Sequence, residues 1–87
     1  MILIIDLSKK QVELVFKEGN RNIASHKWAG LYNLSETLIP EIDKLLKKNK
    51  VKLDDVKKIE VIDSEESMVG TRIAKAVALG LKIKAKK

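Results

Sequence analysis

LSETLIPEIDKLL, residues 34–46, is the stretch at which the pattern of the chain changes. Leu34, Leu38, Ile42 and Leu45 or Leu46 recur at three- to four-residue spacing, while Glu36, Glu41, Asp43 and Lys44 fall elsewhere on the turn. That is an amphipathic helix with one apolar stripe. A helix set between strands supplies the crossover that a parallel strand pair requires, so this segment selects an α/β fold over a simple meander. Asn33 with Glu36 three residues on forms a candidate capping box, with Ser35 as the alternative cap. Pro40 lacks an amide donor and crowds the carbonyl of Glu36, which predicts either a kink there or a helix proper that starts near Pro40. Lys47 to Lys50 then place positive charge at the negative helix terminus.

Upstream, the period is two. Val12, Leu14 and Phe16 alternate with Gln11, Glu13 and Lys17, the signature of a strand with one buried face. Ile2 to Ile5 is a continuous apolar run suited to a central strand covered on both faces. Glu18-Gly-Asn20 reads as a hairpin turn, with Gly19 and Asn20 tolerating positive φ, and a third strand follows over about Arg21 to Trp28. Three strands therefore precede the helix as an antiparallel meander.

Downstream, Asp54 is a candidate cap for a single helical turn, and Ile59, Val61 and Ile62 make a short strand expected to pair parallel with the first. The acidic loop Asp63-Ser-Glu-Glu-Ser67 leads into a second helix over about 68–79, which Gly80 terminates. Val69, Ile73 and Val77 form one stripe of that helix. Gly70, Ala74 and Ala78 form another, whose small side chains let either the sheet or a second helix approach closely. Leu81 to Ala85 alternates again and predicts a fifth, edge strand guarded by lysines.

The composition narrows function. With 87 residues the chain holds one domain, 1–87, of near-minimal size. No Cys and a single His (His26) exclude disulfides, thiolate chemistry and a multi-histidine metal site. The apolar start ends at Asp6, too short for a membrane span and unlike a signal peptide, so a cytoplasmic location without membrane contact is expected. Residues 1–46 are balanced at six basic and six acidic side chains, and residues 47–87 hold twelve and six, so the whole net charge of +6 lies in the second half. Its two clusters, Lys47-Lys48-Lys50-Lys52 and Lys82-Lys84-Lys86-Lys87, contain no interleaved aromatic and almost no Arg, which favours a solvated surface over a nucleic-acid footprint.

The order βββαβαβ, with Ile-Ile-Asp-Leu-Ser closing the first strand, resembles the first lobe of the actin-like ATPase, or ribonuclease-H-like, fold. The segments Leu34–Leu46, Leu53–Ile59, Ser67–Ile73 and Ala76–Leu81 make the chain similar to the N-terminal lobe of the TsaB/YeaZ family. There a Ser-Glu precedes a Leu-Leu-Pro helix, and a Gly-Pro-Gly-Ser-Phe-Thr-Gly-Leu-Arg-Ile-Gly signature opens the next one. The resemblance spans nearly all of this chain and about the first half of a usual member. Its matches are Asp6 and Ser8, then Ser35, Glu36 and Pro40, then Ser67, Gly70, Arg72 and Ile73.

The resemblance implies a non-catalytic partner of a TsaD-like enzyme in making threonylcarbamoyl-adenosine in transfer RNA, associating through the helices at 34–48 and 68–79. On it, the interface falls on Leu38, Ile42, Gly70, Arg72, Ile73, Ala74, Val77 and Ala78, with a homodimer expected first and a TsaD-like heteromer second. No cofactor is expected, because Ser64-Glu65-Glu66 stands in place of Gly-Pro-Gly and puts acids where an anion would sit. A second lobe would supply the other wall of a nucleotide cleft, so catalysis by this chain alone is not expected.

The same topology offers an alternative. Asp6, Glu36 and Asp63 occupy the kinds of position from which ribonuclease-H-like nucleases gather two divalent metals, with nucleic acid bound only weakly or indirectly otherwise. Helix capping accounts for Glu36 and a later fourth acid is missing. His26 has no acid partner close in sequence and reads as a partly exposed structural imidazole. Trp28 and Tyr32 either anchor a partner or cap the core, and Arg72 is placed to pair with Asp63, Glu65 or Glu66.

Overall fold

A computed structural model describes the backbone of residues 1–85 and the side chains of residues 1–81. Four strands, β1 (Ile2–Asp6), β2 (Val12–Glu18), β3 (Arg21–Trp28) and β4 (Lys58–Ile62), form one mixed sheet with two helices, α1 (Leu34–Lys48) and α2 (Met68–Ala85). The strand order is β3-β2-β1-β4. The meander is antiparallel throughout, and β4 lies parallel to β1 with Ile2 opposite Lys58 and Asp6 opposite Ile62. Helix α1 is thus the crossover its periodicity predicts. Gly19 turns the β2–β3 hairpin at φ +60°, and Asn20 stays at negative φ. A register shift beside Phe16 leaves Ile23 unpaired and 48% exposed.

The core is one-sided. Leu3, Ile5, Leu7, Val12, Leu14 and Phe16 point to the same face and pack under Leu34, Leu38, Ile42 and Leu45 of α1 and Ala74 of α2. Each of the larger of these side chains withdrawn from water stabilises the fold by about 1.5–3 kcal/mol. β1 is central, as expected, but it is covered on one face only. Ile2 and Ile4 are half-buried on the other, because both helices lie on the Leu3–Ile5 side.

Several local expectations are corrected. α1 begins at Leu34 and runs through Pro40, so no helix starts at the proline. Glu36, whose carbonyl loses a donor, and Pro40 are both exposed, so the carbonyl is open to solvent and the proline costs the helix less than it would in the core. Asn33 makes no side-chain cap; Thr37 Oγ1 donates to its carbonyl at 3.1 Å and accepts from Trp28 Nε1 at 3.1 Å. In the single turn Leu53–Asp55 the cap is Asp55, which accepts from Lys52 N, and not Asp54. The fifth strand is absent, because α2 continues through Gly80 to Ala85. Of the expected lysine-rich tail, Lys86 and Lys87 lie outside the described residues.

Candidate association surface

The start of α2 is built by three hydroxyls. Ser64 Oγ accepts from the amides of Glu66 and Ser67, and Ser67 Oγ caps the helix by accepting from Gly70 N at 2.9 Å. Thr71 Oγ1 accepts from Ser64 N at 3.0 Å and donates to the Ser67 carbonyl. All three side chains are buried, and they engage the amides that a helix start otherwise turns outward.

This cap lets α2 settle against α1. A β-carbon on Gly70 would stand 3.3 Å from both the Leu31 carbonyl oxygen and Leu34 Cδ1, so the helix approaches that turn as closely as a side-chain-free residue permits. Further along, Ala74 is fully buried and Ala78 nearly so. The small-residue stripe Gly70-Ala74-Ala78 therefore faces the chain's own interior.

The expected interface is accordingly redrawn. Leu38, Ile42, Gly70, Ala74 and Ala78 are buried within this chain and offer no surface to a partner. Arg72 is exposed, and Ile73 and Val77 are half-buried at the rim. Arg72 forms no ion pair among the described residues, because Lys75 holds Asp63 instead, at 3.4 Å. Val69 of the Val69-Ile73-Val77 stripe is 68% exposed, and two apolar side chains outside the stripes read from the sequence are exposed as well, Ile39 at 56% and Leu79 at 62%. Ile39 sits one residue past the core stripe of α1, and that extra apolar position was the available signal.

Two shallow clefts follow the helix pair. One, of about 440 Å³, is lined by Ile39, Leu46, Val51, Leu53 and Leu81 among others. The second, about 290 Å³, shares Ile39 and Leu81 and adds Ala76, Val77 and Gly80. Together they make an apolar groove between α1 and α2 with Asp43, Lys47 and Lys52 along its edge.

The three acids of the nuclease alternative are not assembled. Among the described residues no group of three or more acidic or histidine side chains is placed to hold a metal. Asp6 is 8% exposed and accepts from Ser8 N at 2.9 Å and Ser8 Oγ at 2.6 Å, Glu36 faces solvent, and Asp63 meets Lys75. Lys9 lies between Glu13 (3.1 Å) and Asp6 (3.9 Å), and its pKa is raised, chiefly by the Glu13 hydrogen bond.

His26 has the acid partner that the local sequence lacks. Its Nε2 lies 2.5 Å from Glu41 Oε1 on α1, and its ring stacks on Trp28. Glu41 is held below the usual glutamate pKa, mainly by that hydrogen bond, with Lys44 contributing and desolvation opposing. Trp28 packs against the core edge, as one of its two readings expects, whereas Tyr32 is 79% exposed and does not cap the core.

No family model and no curated protein sequence matches the chain. Solved structures do. YeaZ from Pseudomonas aeruginosa aligns at a TM-score of 0.82 and 24% identity over 99% of this chain and 40% of its own. The structure of an uncharacterized protein with similarity to peptidase YeaZ from Pseudomonas aeruginosa aligns at 0.80 and 24% identity, over 99% and 39% respectively. The chain thus spans about two fifths of the structures it matches and has their α/β, ribonuclease-H-like half-domain fold.

Proposed function

We propose that this chain is a non-catalytic protein-association module of the TsaB/YeaZ type, acting through the outer surface of α1 and α2. The observation that carries the reading is the apolar groove between the helices, lined from both by exposed Ile39 of α1 and by Val77 and Leu81 of α2. Scattered single apolar residues need no explanation, but a continuous apolar groove between two packed helices is the surface that an amphipathic helix of a partner fills. The fold likeness to YeaZ and the sequence matches at Ser35, Glu36, Pro40, Ser67, Gly70, Arg72 and Ile73 support the choice of family. They make a second copy or a TsaD-like protein the partners to try, and transfer-RNA threonylcarbamoyl-adenosine formation the pathway.

Light scattering coupled to size exclusion tests this, first with the chain alone over a dilution series and then mixed with a purified TsaD-like protein. A complex in either experiment that Ile39→Asp and Ile73→Asp abolish, with unchanged circular dichroism, is the expected result. A monomer that also ignores the TsaD-like protein overturns the reading. Ala74→Glu does not serve, because Ala74 is fully buried and a charge there tests folding.

A further inference from the structure

We infer that the end of the molecule at which both helices terminate is a docking surface for the phosphate backbone of a nucleic acid. The fold sorts charge that the sequence scatters. β1, β3 and β4 point the same way, so the helices that follow β3 and β4 begin at one end of the sheet. Gly70 near the start of α2 lies against Leu34 at the start of α1, and Leu81 lines the same cleft as Leu46 and Leu53. The helices are therefore parallel, and both carboxyl ends arrive beside the first residues of β1 and β4 and the β2–β3 turn.

That pole collects Lys48, Lys50, Lys52 and Lys57 on the α1–β4 connection, and Lys17 and Arg21 from the hairpin. Glu18, Asp54 and Asp55 are the acids there, whereas Asp6, Glu13, Glu36, Asp63, Glu65 and Glu66 belong to the opposite end. Among the described residues this pole thus sets six basic side chains against three acids, and the opposite end holds the larger share of the acids.

Lys47 is taken by Asp43 and Lys58 by Glu60, but Lys48, Lys50, Lys52 and Lys57 form no ion pair among the described residues and are exposed. The backbone that carries them is fixed. Asn49 Nδ2 donates to Leu45 O at 2.8 Å, Val51 N to Leu46 O at 2.9 Å and Lys57 N to Met1 O at 2.8 Å. Lys50 holds φ +55° between them. Two parallel helix dipoles direct negative ends here, which accounts for lysines in the last turn of α1 but not for Lys52 and Lys57 beyond it.

The partner follows from the side-chain chemistry. The lack of aromatic side chains and scarcity of Arg, which in the sequence alone favour a solvated surface, exclude base readout but not phosphate contact once the fold gathers exposed lysines at one end: lysines contact phosphates as point charges, and Trp28 and Tyr32 lie at the other end. The same lack of an aromatic anchor argues against a bilayer surface. Binding is thus sequence-independent and strongly dependent on salt.

Fluorescence anisotropy with labelled duplex and single-stranded RNA of arbitrary sequence tests this on the whole chain. With about four phosphates neutralised, affinity falls about a hundredfold between 50 and 200 mM salt. Lys48→Glu with Lys57→Glu weakens binding at least about tenfold and flattens the salt slope, whereas Lys10→Glu with Lys27→Glu, an equal charge change at the other pole, stays within about twofold. Equal loss in both pairs, no binding at low salt, or binding only to vesicles of acidic lipid overturns the inference. Ile39→Asp and Ile73→Asp leave RNA binding intact, so this surface and the helix groove fail or succeed separately.

Discussion

The His26–Glu41 contact joins the edge strand to the helix layer, and its chemistry gives it a pH signature. A carboxyl whose pKa is lowered by folding stabilises the protein above its unfolded value, 4.5, and loses that contribution as pH falls through the lowered value. Wild type is therefore expected to melt above Glu41→Gln at neutral pH, with the difference closing below about pH 4. A difference that persists unchanged to pH 3 in the same melting series rules out this carboxylate as its source. Beside it, Gly30 is held for space, since a β-carbon there would overlap the Trp28 indole and come within 3.1 Å of Thr37 Oγ1. Gly30→Ala is expected to cost about 1–3 kcal/mol in urea unfolding. Neither contact was legible in the sequence: His26 and Glu41 are joined across a strand-to-helix turn, and only the register of β3 decides that His26 faces α1.

At the scale of elements, the alternations of β2 and the helical stripe of α1 were readable because burial on one face leaves a periodic trace. α2 was left open at its face and misread at its end. The sequence offered two stripes, Val69-Ile73-Val77 and Gly70-Ala74-Ala78, and the helix turns the small one inward because α1 and the turn before it come too close at Gly70 for a larger side chain. Gly80 and the alternating Leu81-Lys-Ile-Lys suggested a stop and a strand. Gly terminates a helix when the chain must reverse, and here it continues as exposed backbone with nothing within 4 Å of its missing β-carbon. Gly70→Leu is expected to lower stability by about 1–3 kcal/mol through overpacking against Leu31 and Leu34. Pro40→Ala, at an exposed position inside α1, is expected to raise it by about 1 kcal/mol or more; chemical denaturation that shows no gain would mean the turn around residue 40 is not helical in solution.

For the molecule as a whole, the sheet has two unlike faces, and burial predicts unlike responses at neighbouring residues. Ile5 is fully buried under the helices and Ile4 is half-buried on the open face. Ile5→Ala is expected to cost about 2–5 kcal/mol, and Ile4→Ala less than half as much; equal losses in urea titration would show that the open face is covered in solution. This asymmetry escaped the sequence because Ile2-Leu-Ile-Ile5 is apolar at every position, so no alternation reveals which side the helices take. The parallel pairing of Ile2 with Lys58 has its own consequence in time. The meander can zip as soon as it leaves the ribosome, but β1 waits for its second neighbour until α1 and the following loop have been synthesised. Through that interval the nascent chain presents Leu3, Ile5 and Phe16 without their helical cover, and it is then that the protein has most need of a chaperone.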